Sequence, residues 1–405
     1  MPTTVEDLPV IEPLDGLTIA EHLERIRPIR EQSWIARSSR GLEVLSYEGC
    51  EVALKDENFL PGIQQMLAQM GLNKEGMTGS AGRNMLISEG ADHLAVHRVV
   101  SRWFTPKRIE TMRERVSGLV SDLVAPITEA GAGEFMSQVA RKLPGPVFCW
   151  MIGADPAEGD RLFGISEIIL RAFSGDPALA EQVGQAAADM RVFVEEVITA
   201  KRGNPGDDLL TIMLEAVDDG DLTDEDVHTL TFEMLSASTD NTANAAGLAV
   251  IVLARHPDQW KTLRGDPSGL ARKAVEECMR VEPRVRAGRS WTPAAAMLLD
   301  FEVPADTLLT LDLVAAHHDP KVFPDPDVVD ITREHAKPQL NFGTGRHYCL
   351  GAALARMEMQ VVLERLSTDW AELALDGEPV VHSDMRALDV GVRNLPITVT
   401  RANGG

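Results

Sequence analysis

Apolar residues recur every three or four positions through most of the stretch from about Glu89 to Val281, the spacing of amphipathic and buried helices. Shorter runs near Ile29–Tyr47, Ala296–Leu311 and Val380–Val399 have the composition and alternation of strands. Breaks bearing glycine and proline recur, as at Pro144-Gly145-Pro146 and Asn204-Pro205-Gly206. None is long enough to be a flexible interdomain linker, and no internal repeat or low-complexity tract appears. The pattern predicts a mostly α domain with small β-sheets at its edges.

One predicted helix stands out. Thr223 and Asp226 form a capping-box start, and the chain stays helix-compatible as far as His256-Pro257. That is roughly 33 residues, or ~50 Å, well beyond an average helix. Both halves are apolar, but the middle reads Ser236-Ala237-Ser238-Thr239-Asp240-Asn241-Thr242. Small and hydroxyl-bearing residues there let a ligand approach the backbone or distort the helical hydrogen bonds. A polar island within an otherwise buried helix favours a functional role over a solvated patch. A second helix places Leu270, Ala274, Glu277 and Val281 on one stripe, so Glu277 falls on an apolar face. A carboxylate there needs a cationic partner, and Arg280 stands three residues on.

Composition narrows the class. With 405 residues, 44% hydrophobic and 25% charged, the chain is an ordinary globular sequence; length alone would allow two or three domains of ~150 residues. A formal net charge of -23 disfavours nucleic acid or an anionic membrane as a general partner. The acidic, proline-broken start MPTTVEDLPVIEPLDG has no basic region followed by an apolar core, so no signal or transit peptide is expected. The longest apolar stretch, Ala245 to Ala254, is about half a membrane span. Cys50, Cys149, Cys278 and Cys349 are widely spaced without a CxxC pair. A disulfide framework or zinc ribbon is therefore not expected, three of the four should be inert buried thiols, and a reducing cytoplasm is the expected location.

The strongest chemical signal is Phe342-Gly343-Thr344-Gly345-Arg346-His347-Tyr348-Cys349-Leu350-Gly351, followed by Leu354, Met357, Val361 and Leu366 at near-helical spacing. Cys349 thus sits where a loop meets a helix N-terminus, a setting that favours thiolate over thiol. The glycines let the backbone turn tightly and approach a flat ligand. A thiolate is also the electron donor an iron centre needs to cleave an O–O bond. The segment resembles the haem-binding signature of the bacterial cytochrome P-450 superfamily, Phe-Gly-x-Gly-x-His-x-Cys-x-Gly, in all six named residue types. A chance match at a given start is rarer than about one in ten million.

Other segments are similar to that family in the expected order. Glu277-Cys278-Met279-Arg280 looks like its Glu-x-x-Arg helix, which supports the haem-side core. His318-Asp319-Pro320-Lys321-Val322-Phe323-Pro324-Asp325-Pro326 resembles its proline-rich meander, with His318 where arginine is commoner. Gly206-Asp207-Asp208-Leu209-Leu210 and Arg393-Asn394-Leu395-Pro396 also fit. The resemblance covers nearly the whole chain, most weakly over 1–80 and 150–200, and implies a single cytochrome P-450 domain over residues 1–405. It implies haem b (iron protoporphyrin IX) with Cys349 as metal ligand, and Phe342, Gly343, His347 and Gly351 around it. His93, Arg289 and His347 match the family's propionate contacts. Its His-x-x-x-Arg reads here His93-Leu94-Ala95-Val96-His97, so His97 stands in place of a permanent cation.

The main departure lies in the long helix. The family pattern Ala/Gly-Gly-x-Asp/Glu-Thr aligns with Ala237-Ser238-Thr239-Asp240-Asn241, followed by Thr242. The resemblance implies that the acid and alcohol relay protons through water during oxygen activation. Asp240 supplies the acid, while Asn241 stands in the alcohol position. An amide cannot relay a proton as readily as a hydroxyl, but it donates and accepts hydrogen bonds. Asn241 is expected to order water or grip an oxygen-bearing substrate; the alternative is that Thr239 or Thr242 acts after a local helix distortion. Ser236, Ala237, Val285 and Ala287 match positions that flank substrate, and Gly62 to Ile87 looks like the variable loop covering the cavity.

The resemblance further implies a monooxygenase that uses O2 on a small, largely apolar molecule. Its electrons would come from a ferredoxin and an NAD(P)H-dependent ferredoxin reductase, since no Rossmann fingerprint or cysteine cluster is present in the chain. Docking an acidic ferredoxin would need a local basic face, with Arg102, Lys107, Arg108, Arg346 and Arg356 as candidates. Two alternatives stay open: a peroxide-using haem-thiolate enzyme, and a non-catalytic haem-based sensor.

Overall fold

The computed structural model describes residues 4–12, 17–65, 82–171, 177–334, 336–384 and 389–402. They fall into two compact units. Among the described residues, no helix is long and apolar enough to cross a membrane.

The first unit comprises Met1–Met66, Leu248–Cys349 and Val380–Arg393. Its five-stranded sheet runs in the order Ile35–Ser38, Gly41–Val44, Thr307–Asp312, Ala287–Thr292, Leu60–Pro61. Gly41–Val44 lies parallel to Thr307–Asp312, and the other neighbours are antiparallel. Alternate residues of these strands, among them Ile35, Val44, Leu309 and Leu311, enter one apolar core with Tyr47, Phe301 and Phe323. The sequence pattern placed strand character from Ile29, but Ile19–Arg30 is a helix that accommodates Pro28 in its last turn. A Thr18–Glu21 capping box starts it, a signal the apolar pattern alone does not carry. Tyr47 opens a further helix, Tyr47–Lys55, with Ser46 as its cap.

The second unit comprises Leu67–Gly247, Leu350–Pro379 and Asn394–Gly405. Its helix Pro106–Ala130 buries Ile109, Met112, Val116, Val120, Val124 and Ile127, spaced three or four apart, so one face is apolar throughout. That helix packs against Ala352–Asp369, which buries Leu354, Met357, Val361 and Leu366. A three-stranded antiparallel sheet, Ala132–Glu134, Pro396–Arg401, Trp370–Leu375, completes the unit's regular β structure among the described residues.

The predicted long helix is Asp224–Arg255, 32 residues, ending just before His256-Pro257. Its start is the expected capping box: Asp226 N–H donates to Thr223 Oγ1 at 3.1 Å, and Thr223 N–H donates to Asp226 Oδ2 at 2.8 Å. Burial alone would raise the Asp226 carboxyl, but hydrogen bonds from Arg83 and Thr223 outweigh it and hold the pKa down to about 2.

Candidate functional site

In the first unit the cysteine loop is closed on itself. Cys349 N–H donates to Phe342 O at 2.9 Å, Gly343 N–H to Leu340 O at 2.9 Å, and Tyr348 N–H to Gly345 O at 3.2 Å. Gly343 (φ 63) and Gly345 (φ 71) occupy the left-handed region. A Cβ on Gly345 would also lie 2.7 Å from Leu54 O, so both conformation and space require glycine there. A 3-10 turn, Gly345–His347, follows, and the chain passes Cys349 to reach Gly351, the residue capping Ala352–Asp369. Cys349 is exposed, whereas Cys50, Cys149 and Cys278 are buried as expected. Burial pushes those three thiols up, Cys149 to about 12, which keeps them unreactive.

The loop is rooted on the Glu-x-x-Arg helix, Pro267–Val281. Asn341 Nδ2 donates to Met279 O at 2.8 Å, and Leu340 N–H donates to His317 Nε2 at 2.7 Å. Beneath them Glu277 and Arg280, both 0% exposed, form a bidentate pair at 2.8 Å on each arm. Arg280 also donates to the carbonyls of His317, Pro326 and Val328, and lies over the Phe323 ring. Glu277 accepts from Asp330 N–H and Arg333 Nε. Burial alone would raise the Glu277 carboxyl; Arg280 and the further donors outweigh it and lower the pKa. His318, at the family's arginine position, is buried with Nδ1 2.9 Å from Val314 O, and desolvation lowers its pKa to about 4. It therefore supplies no cation near neutral pH.

Arg289 lies on the strand Ala287–Thr292, and its guanidinium donates to Thr310 Oγ1 on the neighbouring strand. Val285 packs on the edge of the apolar core, and Ala287 is half-buried. Arg346 is half-buried, with Nη2 3.5 Å from Phe59 O.

In the second unit the middle of the long helix carries an exposed step in an otherwise buried element. Ala237 and Asn241, four residues apart and therefore on one face, are exposed, while Thr239, Thr242 and Asn244 are buried. Asn241 Nδ2 donates to Ala237 O at 3.0 Å, so its amide donor is partly committed while the amide carbonyl remains an acceptor. Ser236 Oγ is buried without a hydrogen-bond partner. Thr239 faces away from the exposed step: Oγ1 donates to Ser166 Oγ or to Leu235 O. The helix is α-helical throughout Asp224–Arg255. Asp240 is half-buried beside Asn241, and its carbonyl accepts from Asn244 Nδ2 at 2.9 Å.

His93 is buried and His97 half-buried on the helix Gly90–Val100, with ring centroids 5.6 Å apart. Arg98 points elsewhere, to Asp221 at 3.1 Å. Of the basic candidates in this unit, Arg108 is paired with Asp207, Arg102 lies 3.9 Å from Glu215, Lys107 is exposed and Arg356 is half-buried. Of the segment Gly62 to Ile87, residues 66–81 lie outside the described residues. The sequence reading missed Glu233, which accepts two backbone N–H groups of that segment's end. Its place four residues before Ala237 was the available signal.

The cysteine loop of the first unit, taken by itself, fits an iron porphyrin: an accessible thiol stands on a loop in which Gly343 and Gly345 take the left-handed conformation that favours glycine. In the second unit, Ala237 is exposed on the long helix, and the buried Ser236 Oγ lacks a hydrogen-bond partner. The family described as Cytochrome P450 matches residues 176–266 and 269–372. Cytochrome P450 107B1 of Saccharopolyspora erythraea is 32% identical over 390 residues, 93% of this chain and 92% of that protein. The 6-deoxyerythronolide B hydroxylase of the same organism is 29% identical over 385 residues, 92% of this chain and 91% of its own. The crystal structure of CalO2 superposes with a TM-score of 0.88 at 24% identity, covering 97% of this chain and 100% of that one.

Proposed function

Because the chain belongs to the cytochrome P450 family of haem-thiolate monooxygenases, which hydroxylate organic substrates, we propose that Cys349 would hold the iron of haem b through its thiolate and that residues 1–405 form one catalytic domain. The observation that carries this assignment is the exposed Cys349 thiol on a self-closed, glycine-shaped loop. The substrate is a small, largely apolar molecule that is hydroxylated or O-/N-dealkylated. Electrons come from a ferredoxin and its NAD(P)H-dependent reductase. An exposed cysteine thiol suits the reducing cytoplasm.

When bound, haem supplies the activation of O2; in the hydroxylation, substrate, O2, two electrons and two protons give the hydroxylated product and water. The protein's residues divide the remaining work. His93, Arg289 and His347 would hold the propionates, with His97 beside His93. Phe342, Gly343 and Gly351 shape the cradle of the thiolate. Asp240 carries protons in from solvent, and Thr242 is the nearest following hydroxyl on the helix. With its Nδ2 on Ala237 O, Asn241 serves chiefly as an acceptor: it orders water or takes a hydrogen bond from a substrate oxygen. Ser236, Ala237, Val285 and Ala287 contact substrate. A second reading, peroxide-driven turnover without a ferredoxin, is favoured by the amide at the alcohol position.

The test is a titration of the ferric protein's Soret band with monoterpenoids, steroids, fatty acyl chains and aromatics. A low- to high-spin shift with one class identifies a ligand that displaces water from the iron. Turnover of that ligand with ferredoxin and reductase supports the monooxygenase reading. Turnover only with hydrogen peroxide supports the second one.

A further inference from the structure

The face of the long helix that ends in Ala237 and Asn241 continues in the other direction through Glu233, Thr229 and Glu225, each four residues from the next. The segment Gly82–Leu86 follows this row. Gly82 packs so closely that a Cβ would lie 2.3 Å from Glu225 O and 2.4 Å from Thr229 Oγ1. Arg83 is held by Asp226 at 2.7 Å and by Asp221 O at 2.8 Å. Met85 N–H and Leu86 N–H donate to the two oxygens of Glu233 at 2.9 and 2.8 Å. Asn84 Oδ1 also accepts from Leu86 and Ile87 N–H, which shapes the turn. The strap therefore covers the row as far as Glu233, and the exposed step begins one turn later, ~6 Å along the helix.

We propose that Glu233 is a positioning residue that determines substrate specificity: by gripping Met85 and Leu86 it fixes the strap as the wall at one end of the Ala237–Asn241 face. This rests on the reading that this face belongs to the substrate cavity. Glu233 touches no reacting atom; it acts through the backbone it holds. A carboxylate is the fitting group, because it presents two acceptors to two adjacent N–H donors. Glutamine keeps one acceptor and turns a donor toward the other N–H.

Two readouts on the haem-loaded protein test this inference. Amide hydrogen exchange follows the grip itself. In Glu233→Ala, Met85 N–H loses its acceptor and exchanges about tenfold faster or more, while Leu86 N–H changes less because Asn84 remains. The wall is read by the dissociation constants of n-alkylimidazoles of increasing chain length, followed by the Soret band. The ratio between long and short probes shifts by about fivefold in Glu233→Ala and by less in Glu233→Gln. Gly82→Ala, which lifts the same strap by steric contact and leaves Glu233 in place, shifts the ratio in the same direction. Unchanged exchange at Met85 overturns the inference, and so does faster exchange with an unchanged ratio. If the wild-type protein gives no imidazole spectrum while Met85 exchange responds, the haem-cavity reading fails and the specificity role falls with it.

Discussion

The helix Pro267–Val281 and the middle of Asp224–Arg255 both bring polar side chains into apolar surroundings, and they treat them in opposite ways. Glu277 and Arg280 are wholly buried and satisfied by each other, by three carbonyls, by a backbone N–H and by Arg333. Around Ser236 to Asn241 a hydroxyl is buried without a partner, and an exposed asparagine spends one of its two N–H donors on its own helix. A saturated network fixes one arrangement of the backbone, and here that backbone roots the cysteine loop. Unsatisfied groups add little to stability and leave donors and acceptors for a ligand. On the proposed reading, the contrast separates residues that build the site from residues that use it.

The sharpest break of this contrast is Cys349→Ser. The thiol is exposed in the haem-free chain, so unfolding stability of the haem-free protein should change by no more than about 0.5 kcal/mol, while monooxygenase turnover of the haem-loaded protein disappears. Denaturant unfolding of the first and a product assay on the second check both halves. Arg280→Ala attacks the saturated network and leaves Glu277 buried without its main partner; urea unfolding should show a loss of about 3–5 kcal/mol.

Glu358 sharpens the comparison, because it is a buried glutamate whose Oε2 has no hydrogen-bond partner, and desolvation raises its pKa to about 8. The folded state keeps its proton where the unfolded chain has lost it. This contribution to stability is full below about pH 4.5 and is lost as pH rises through about 8. Glu358→Gln should therefore flatten the fall in melting temperature over that range and add on the order of 2 kcal/mol at pH 8. Parallel curves for the two proteins would remove Glu358 as the cause.

The smallest effect belongs to Asn241→Ala. Stability should stay within about 0.5 kcal/mol, while affinity for an oxygen-bearing substrate, or the fraction of electrons recovered in product, falls about fivefold. Unaltered affinity and coupling would exclude the amide from both roles.

The framework half of this comparison was largely legible in the sequence. The loop around Cys349 and the Glu277–Arg280 spacing are short-range patterns, and the capping box at Thr223 and Asp226 marks where the long helix begins. What escaped was set by contacts distant in sequence. The strap Gly82–Leu86 lies on the long helix through Asp226 and Glu233, more than a hundred residues away, and no local periodicity encodes that pairing. Likewise the strand Ala287–Thr292 forms because it pairs with Thr307–Asp312 and Leu60–Pro61. The commitment of Asn241 Nδ2 to Ala237 O is a rotamer choice among several the sequence permits. It commits one of the two amide N–H donors and leaves the carbonyl as an acceptor.

The most direct test of the central claim, that Cys349 ligates the haem iron as a thiolate, is the absorption spectrum of the carbon monoxide complex of the reduced protein and of Cys349→Ser. The account predicts the strongly red-shifted Soret band of a thiolate-ligated haem in the wild-type protein and its absence in the folded serine variant. A wild-type spectrum without that band, or a serine variant that retains it, would contradict the assignment.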